Sequence, residues 1–289
     1  MKIAVVTDST CYLSQQDIDN NHLFIVPIPF IVDGKAYREG LDVTDKEAFQ
    51  IIHDGESFPS TSQPALGDLI NLYSKLADDG YNAVISIHLA GTISGLVNSL
   101  QSVAADLADK IKIVPYDSKI TVQLMGQLAI KAARMAQAGA DLDAIIQELN
   151  QLRDTIDEYF MVDDLQNLVR GGRLSNASAF IGSVLKIKPL LTFDNESDEI
   201  VAFEKIRSAK KAIARIEQLF KEAKDNTDYP LRGFIFHVNN EKMAQEWYES
   251  IKKRYPDMPF EFGAFGPVVG AHLGDGALAL GWMKDIDAK

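Results

Sequence analysis

The sequence predicts an α/β domain with a parallel sheet flanked by helices, followed by an α+β domain with a mixed sheet and helices. Its 289 residues are enough for two domains of roughly 100 to 200 residues each. The first half alternates short apolar runs with polar turns and helical periodicity, which is typical of a parallel sheet. In the second half, only the polar segment DNESDE joins two strand-like runs, and it is too short for a crossover helix. We expect domains at 1–156 and 157–289.

The strands and helices of the first domain follow from local patterns. The segment 23–32 contains two prolines, which favours an edge strand, and the Asp33-Gly34 turn follows it. TDKE at 44–47 is a capping box and predicts the start of a helix. Further helices are predicted over about 121–137 and 141–156. Three apolar runs predict the parallel strands: 2–7 (KIAVVT), 83–87 (AVISI) and 111–116 (IKIVPY).

The second domain has strand-like runs that are not regularly separated by helices, which predicts a mixed sheet. Helices are predicted at about 208–223, which has a clear apolar face, and at 241–255. The predicted strands are 158–162, 189–193, 200–206, 231–238 and 260–265.

Composition excludes several classes of protein. With 29 Lys and Arg against 41 Asp and Glu, the net charge is −12, which argues against a broad cationic face for nucleic acid or anionic lipid. The single cysteine, Cys11, cannot form an internal disulfide, which fits a reducing compartment. No apolar run approaches the ~20 residues of a membrane helix. We expect a cytoplasmic protein with at most transient membrane contact.

Standard catalytic and cofactor motifs are missing from the sequence. It has no G-x4-G-K-[ST] loop and no G-x-G-x-x-G fingerprint, and Ser94 lies in TISGL rather than G-x-S-x-G. The five histidines do not have metal-ligand spacing. We therefore expect neither a metal site nor a cofactor.

Small hydroxylated turns follow the predicted strands, where open α/β sheets bind ligands. Thr61 and Ser62 either cap the next helix or contact a ligand, and the Ser94 hydroxyl either caps a helix or donates to an anion. Asp8 and Asp117 fit better as residues that hold turns together than as bases.

Two glycine-containing segments lie in the second half. LQNLVRGGRLS ends a short helix with Gly171-Gly172 between Arg170 and Arg173, which are either solvated charges or an anion clamp. GPVVGAHLGDG is a glycine-rich loop around His272, whose side chain is either simply packed or placed for close approach of a ligand.

Seven motifs taken together resemble the DegV family across essentially the whole chain. In order they are IAVVTDST, TSQPALGDL, SIHLAGTISG, VPYDSK, VDDLQNLVRGGRLS, LKIKPLLTF followed by EKIRSAKKA, and GPVVGAHLGDGAL. The resemblance implies the two-domain fold described above and a long-chain fatty acid, such as palmitate, in a tunnel between the domains. It also implies that the protein is the fatty-acid-binding subunit of a bacterial fatty acid kinase and presents the acyl carboxylate to a separate ATP-dependent kinase subunit.

Carried over by motif, the resemblance assigns the carboxylate contacts to Thr61 and Ser94, with Ser62 and His272 next, and Arg170 closing the head-group region. The family usually has Gly-Thr and an aromatic residue after this serine, whereas Leu96 and Val97 follow Gly95 here.

Two further sets of residues complete the expected site. The apolar run after the GGR motif supplies candidates for the tunnel lining: Phe180, Ile181, Val184 and Leu185. Residues 165–216 carry nine Lys and Arg against five Asp and Glu, a local surplus of four positive charges in an acidic chain. Arg173, Arg207 and Lys210 are therefore predicted to face an acidic or phosphate-bearing partner, although a solvated helix face is an alternative.

The preferred interpretation is a binding and presentation protein rather than an enzyme. The first alternative is an esterase or acyl-transfer hydrolase that uses Ser94, His272 and an acid such as Asp117. The second is a carrier or sensor of another amphiphilic acid.

Overall fold

The structure is a computed structural model that describes residues 1–180 and 187–288. The chain divides into two compact units, Met1–Asp154 and Thr155–Lys289, called unit 1 and unit 2 below. No helix in the described ranges is long and apolar enough to cross a membrane.

Unit 1 contains seven strands and six helices in its described chain. The strands are β1 (Ile3–Asp8), β2 (Phe24–Val26), β3 (Pro29–Val32), β4 (Lys35–Arg38), β5 (Ser60–Thr61), β6 (Ala83–His88) and β7 (Lys112–Asp117). The helices are α1 (Gln15–Asn21), α2 (Asp45–Asp54), α3 (Leu66–Asp78), α4 (Leu96–Asp106), α5 (Val122–Gln137) and α6 (Leu142–Arg153). A 3-10 turn at Ser9–Cys11 follows β1.

The main sheet of unit 1 is parallel, as predicted. Its order is β2-β1-β6-β7, and every neighbouring pair runs in the same direction. All six residues of β1 and all six of β6 are buried, which explains why both strands are mostly apolar on both faces. The carboxyl ends of β1, β6 and β7 therefore meet at one edge of the sheet.

The predicted capping box is confirmed at the start of α2. The Thr44 hydroxyl accepts the N–H of Glu47 at 3.4 Å, and the Glu47 carboxylate accepts the N–H of Thr44 at 2.9 Å. Two of the four N–H groups left open at a helix start are thus satisfied within the same turn.

The segment 23–32 differs from the single edge strand that was predicted. It breaks at Pro27 into β2, which is an edge strand of the main sheet, and β3, which is the middle strand of a small antiparallel sheet of order β4-β3-β5. Pro29 is the first residue of β3, a position where the ring and the missing N–H are tolerated. Asp33 and Gly34 form the predicted two-residue turn, both with positive φ, as a type I′ hairpin requires.

Unit 2 is built on a six-stranded mixed sheet. Its strands are β8 (Asp157–Met161), β9 (Lys188–Phe193), β10 (Ile200–Ile206), β11 (Leu231–His237), β12 (Phe260–Ala264) and β13 (Leu278–Lys284). The order is β10-β9-β8-β13-β11-β12, and only the β11/β12 pair is parallel. As predicted, β9 and β10 are antiparallel neighbours.

Two long helices cover one face of this sheet. The described helices of unit 2 are α7 (Gln166–Gly171), α8 (Ala177–Phe180), α9 (Ala209–Asp225), α10 (Glu241–Arg254) and α11 (Pro267–Leu273). Ile216 and Phe220 of α9 and Trp247 of α10 pack with Leu280 and Trp282 of β13 in one core. The apolar face predicted for 208–223 is therefore confirmed.

Two parts of unit 2 were not predicted. The central strand β13 did not appear among the strands expected from the sequence. The segment around His272, predicted to be a glycine-rich loop, contains the helix α11, which starts with Pro267 at its first position. Proline is favoured there because its missing N–H would be unpaired in any case.

Candidate functional site

The loop between β6 and α4, residues 89–95, presents Ser94 at the carboxyl edge of the parallel sheet. The N–H of Ser94 donates to the carbonyl of Ala90 at 3.1 Å, so the loop folds back on itself. The Ser94 hydroxyl is partly buried and accepts the N–H of Leu96 at 3.3 Å. It lies at the start of α4, where the cap residue Gly95 offers no side-chain hydrogen bond and the first turn has no acid. This helix end keeps the partial positive charge of its N–H groups.

Asp117 fixes the middle of the same loop. Its two carboxylate oxygens lie 3.1 and 3.2 Å from the N–H nitrogen of Gly91, and one of them also accepts the N–H of Lys119 at 2.8 Å. A Cβ at position 91 would come within 2.7 Å of this carboxylate, so the approach requires glycine. The prediction that Asp117 holds a turn is confirmed, and the esterase alternative would need this carboxylate to orient a histidine instead.

Thr61 is the last residue of β5, and Ser62 begins the loop between β5 and α3, a second loop of unit 1. Thr61 pairs with Phe30 in the small sheet, and the N–H of Ser62 donates to the carbonyl of Pro29 at 3.1 Å. The cap residue of α3 is Ala65, which makes no side-chain hydrogen bond. Capping of α3 by Thr61 or Ser62, one of the two interpretations left open by the sequence, is therefore wrong. Ser62 is exposed and Thr61 is partly buried.

Gln63 joins these two loops. Its side-chain oxygen accepts the Ser99 hydroxyl of α4 at 2.6 Å. Its side-chain nitrogen lies 2.4 Å from the place that a Cβ on Gly95 would occupy, so the amide rests directly on the residue after Ser94. Gln63 belongs to the TSQP motif but was not among the predicted site residues. Through Gln63, the loop of Thr61 is held against the start of α4.

In unit 2, α7 and α11 bring His272 against the glycine pair that ends α7. Gly172 has φ of 71°, the left-handed conformation that closes the helix. A Cβ on Gly171 would lie 2.5 Å from Nδ1 of His272, so the imidazole occupies the space that a side chain there would need. The guanidinium of Arg173 donates to the Gly171 carbonyl.

The imidazole of His272 is neutral at neutral pH. Burial, with a smaller contribution from the nearby charge of Arg173, lowers its pKa to about 4. A neutral imidazole offers one N–H donor and no charge, so any positive charge in this region comes from arginine. Arg170 is exposed and donates to Gln166 at 3.5 Å on the same helix.

The other predicted residues belong to the proposed tunnel lining and to the proposed docking surface. Ile181, Val184, Leu185 and the side chain of Phe180 lie outside the described residues. Arg207 and Lys210 are exposed, at the end of β10 and in the first turn of α9. Among the described residues, no three His, Cys, Asp or Glu side chains lie close enough together to hold a metal ion.

Comparison with known proteins gives the family. A family model described as "Uncharacterised protein, DegV family" matches residues 2–285. The chain belongs to the DegV family. The resemblance seen in the seven sequence motifs is thereby confirmed.

Relatives of the DegV family match the chain over nearly its whole length. Protein DegV of Bacillus subtilis is 43% identical over 284 residues, which cover 98% of this chain and 99% of the relative. The crystal structure of DegV from Bacillus subtilis, described as a fatty acid binding protein, is 41% identical with a TM-score of 0.90 and covers 99% of this chain and 100% of its own. A fatty acid binding DegV family protein from Streptococcus agalactiae is 34% identical with a TM-score of 0.90, and the match covers 99% of each chain. The predicted fold class is confirmed by these structures.

Proposed function

We propose that this protein binds a long-chain fatty acid and holds its carboxylate with the hydroxyls of Thr61 and Ser94. The observation that carries this proposal is the pair of hydroxyl-bearing segments that Gln63 joins beside the start of α4. Family members at 41% and 34% identity are described as fatty acid binding proteins, which supports the same ligand class. Ser62, His272 and Arg170 are further proposed contacts, and Phe180, Ile181, Val184 and Leu185 are the proposed lining for the acyl chain.

The two ends of a fatty acid make different demands on a protein. Burial of the chain gains about 0.8 kcal/mol per CH2, so a dozen methylenes supply on the order of 10 kcal/mol before ordering costs. The ionised carboxylate loses hydration and must be met by hydrogen-bond donors. Because the whole chain carries a net charge of −12, its overall field repels an anion. Recognition therefore depends on local donors such as these hydroxyls and the open N–H groups of α4.

The head-group assignment predicts that Ser94→Ala and Thr61→Val each weaken palmitate binding by about 1 to 3 kcal/mol, because each removes a donor from a desolvated carboxylate. Isothermal titration with palmitate measures the change. Ser102→Ala is the matched control, since Ser102 is exposed on the same helix α4 and should leave the affinity unchanged. Unchanged affinity in both site variants would refute the assignment. Native mass spectrometry that finds no co-purified acyl chain, together with no thermal shift on adding palmitate, would refute fatty acid binding itself.

We further propose that the bound carboxylate is presented to a separate ATP-dependent kinase subunit. On that partner the carboxylate oxygen attacks the γ-phosphorus of ATP, the bond to ADP breaks, and the acyl phosphate stays with this protein. Arg173, Arg207 and Lys210 are the proposed docking residues. Support comes from α9, where Lys210 and Lys211 occupy the first turn without any acid. Two cations at the positive end of a helix dipole destabilise the helix. Their presence there therefore favours a functional role for them, such as docking.

A further inference from the structure

A chain of four buried polar side chains runs through unit 1 from α3 to the end of β1. The Tyr73 hydroxyl lies 2.7 Å from the Ser86 hydroxyl, which in turn lies 2.7 Å from Nε2 of His88. Nδ1 of His88 lies 3.0 Å from Oδ2 of Asp8. All four side chains are inaccessible to solvent. Ser86 and His88 are two residues apart on β6 and so point to the same face of the sheet.

The order of these bonds is that of the Ser-His-Asp triad of hydrolases, but the site is closed. Ser86 is 0% exposed and its hydroxyl also bonds to Tyr73, so no substrate carbonyl can reach it. A buried polar network costs desolvation free energy and is useful only when its members are bonded. The role of this network is therefore indicated by the backbone N–H groups that its hydrogen bonds hold in place.

Asp8 connects this network to the carboxyl edge of the parallel sheet, where Ser94 lies. Its Oδ1 accepts the N–H of Thr10 at 3.1 Å and the Thr10 hydroxyl at 2.6 Å. Its Oδ2 faces His88 and accepts the N–H of Leu89 at 3.1 Å. Leu89 is the first residue of the 89–95 loop. The next residue, Ala90, accepts the N–H of Ser94, so the position of Ser94 is set directly by the anchored end of the loop.

We propose that Asp8 and His88 are positioning residues that act on the fatty acid carboxylate through Ser94. His88 orients the Asp8 carboxylate so that each oxygen receives two donors, and the carboxylate fixes the N–H of Leu89. Neither residue contacts the ligand. The inference rests on the proposed function, because it concerns the placement of the same serine hydroxyl.

Two amide substitutions at His88 separate its two hydrogen bonds. In His88→Asn the amide nitrogen falls near the place of Nδ1 and keeps a donor for Asp8. In His88→Gln it falls near the place of Nε2, so it keeps the Ser86 contact and loses Asp8. His88→Gln is expected to weaken palmitate binding by about five- to tenfold, the effect of losing one buried hydrogen bond, whereas His88→Asn retains the affinity. Tyr73→Phe removes the far end of the chain, outside the positioning pair, and serves as the control for a general loss of stability.

A double-mutant cycle with Ser94→Ala distinguishes positioning from a purely structural effect. If His88 acts through the serine hydroxyl, His88→Gln lowers the palmitate affinity in the wild-type background and changes it by less than about twofold in the Ser94→Ala background. Equal losses in both backgrounds would overturn the proposal, as would equal affinities of His88→Gln and wild type.

Hydrogen exchange of the protein without lipid tests the same inference independently of binding. Amides of residues 89–95 should exchange faster in His88→Gln than in Tyr73→Phe. Asp8→Asn should have the same effect, because its NH2 group deprives either Leu89 or Thr10 of an acceptor. Unchanged exchange in this segment for His88→Gln overturns the positioning role. If the wild-type protein binds no palmitate while the exchange result holds, the proposed function fails and the anchoring of the loop by His88 stands.

Discussion

His272 acts as a neutral hydrogen-bonding group at physiological pH. Its pKa is about 4 in the folded protein because of burial and of Arg173, against 6.5 for an ordinary histidine. A carboxylate near this residue would receive an N–H but no charge compensation from the ring. The arginines that bracket the glycine pair, Arg170 and Arg173, are the groups that can supply the charge.

The lowered pKa of His272 makes the stability of the protein depend on pH. Between about pH 6.5 and 4 the unfolded chain binds a proton at this residue that the folded protein does not, so the free energy of unfolding falls as the pH falls. The contribution is on the order of 3 kcal/mol. Urea unfolding at pH 7, 5.5 and 4.5 should show that His272→Gln loses less stability on acidification than wild type does.

His53→Gln is the control for that experiment, because His53 is exposed at the end of α2. This variant should follow the wild-type pH dependence. Identical curves for His272→Gln and wild type would contradict a buried neutral imidazole at position 272.

Glu158 on β8 predicts a pH dependence of the opposite sign. Burial raises its pKa from 4.5 to about 8, so the folded protein holds a proton that the unfolded chain releases between these values. The free energy of unfolding therefore falls as the pH rises from 4.5 to 8. Glu158→Gln keeps the shape without the charge and should exceed wild type in stability at pH 8.5 by on the order of 4 kcal/mol, with little difference at pH 5. The exposed Glu246→Gln should match wild type at both pH values; no gain at pH 8.5 in Glu158→Gln would show that the carboxyl is solvated.

Sequence reasoning identified the hydroxyls of the candidate site but not the side chains that hold them. Thr61 and Ser94 stand out because they lie in short polar segments rich in small hydroxylated residues. The contacts of Gln63 with α4 and of Asp8 with His88 join residues far apart along the chain, so no local pattern indicates them. The single available signal was the spacing of Ser86 and His88, polar residues two positions apart within an otherwise apolar strand.

Among the elements, α9 combines a strong apolar face with unfavourable charges at its first turn. Ser208 caps the helix by accepting the N–H of Lys211, but the first turn carries lysines and no acid. Lys210→Glu should therefore raise the free energy of unfolding by about 0.5 to 1 kcal/mol through the helix dipole. In the same variant, the proposed docking role predicts that acyl phosphate formation with the proposed kinase subunit and ATP falls about tenfold or more, because the charge at the proposed contact is reversed.

Lys242→Glu is the matched control for α9. Lys242 is exposed in the first turn of α10, so the substitution makes the same change in charge at the same position of another helix in unit 2. It should leave acyl phosphate formation unchanged. Equal rates for Lys210→Glu, Lys242→Glu and wild type would show that Lys210 does not belong to the proposed docking surface.

Two elements of unit 2, β13 and α11, were not predicted because burial or glycine hides their pattern. In β13 six of seven residues are buried, so the strand has no polar alternation and follows directly on a glycine-rich segment. The helix α11 contains a glycine at its centre and has one at each flank, a pattern that is typical of a loop. By contrast, the capping box of α2 and the Asp33-Gly34 turn were predictable, because both are determined by neighbouring residues.

For the whole molecule, the net charge of −12 is unevenly distributed. The surplus of four positive charges lies within residues 165–216. In that segment Lys188 pairs with Asp163, and Arg215 pairs with Glu204 at 2.9 Å. Arg207 and Lys210 project from the same stretch as exposed charges. An acidic protein of this kind is suited to selective electrostatic contact at one place and to weak interaction with polyanions elsewhere.

The central place of the last strand predicts how the two units respond to truncation. β13 pairs with β8 on one side and with β11 on the other, so a chain that stops after Ala277 divides the sheet of unit 2 into β10-β9-β8 and β11-β12. It also removes Leu280 and Trp282 from the core. Loss of two such side chains at about 3 to 5 kcal/mol each is comparable to the whole stability of a domain, about 5 to 15 kcal/mol.

Within the part of the chain that the structure describes, the parallel sheet of unit 1 takes all its strands from residues up to Asp117, and the compact region of unit 1 ends at Asp154. Hydrogen exchange of the chain truncated after Ala277 should therefore show fast exchange across 155–277 and preserved protection in β1, β6 and β7. A chain truncated after Lys284 keeps β13 and loses the carboxylates of Asp285 and Asp287 that bind Arg232 and the hydrogen bond from the Asp285 N–H to the Pro230 carbonyl, so its sheet should stay protected. Protection of 155–277 in the shorter chain would mean that β8 and β11 can close the sheet without β13, whereas loss of protection throughout 1–154 would mean that unit 1 does not fold without unit 2.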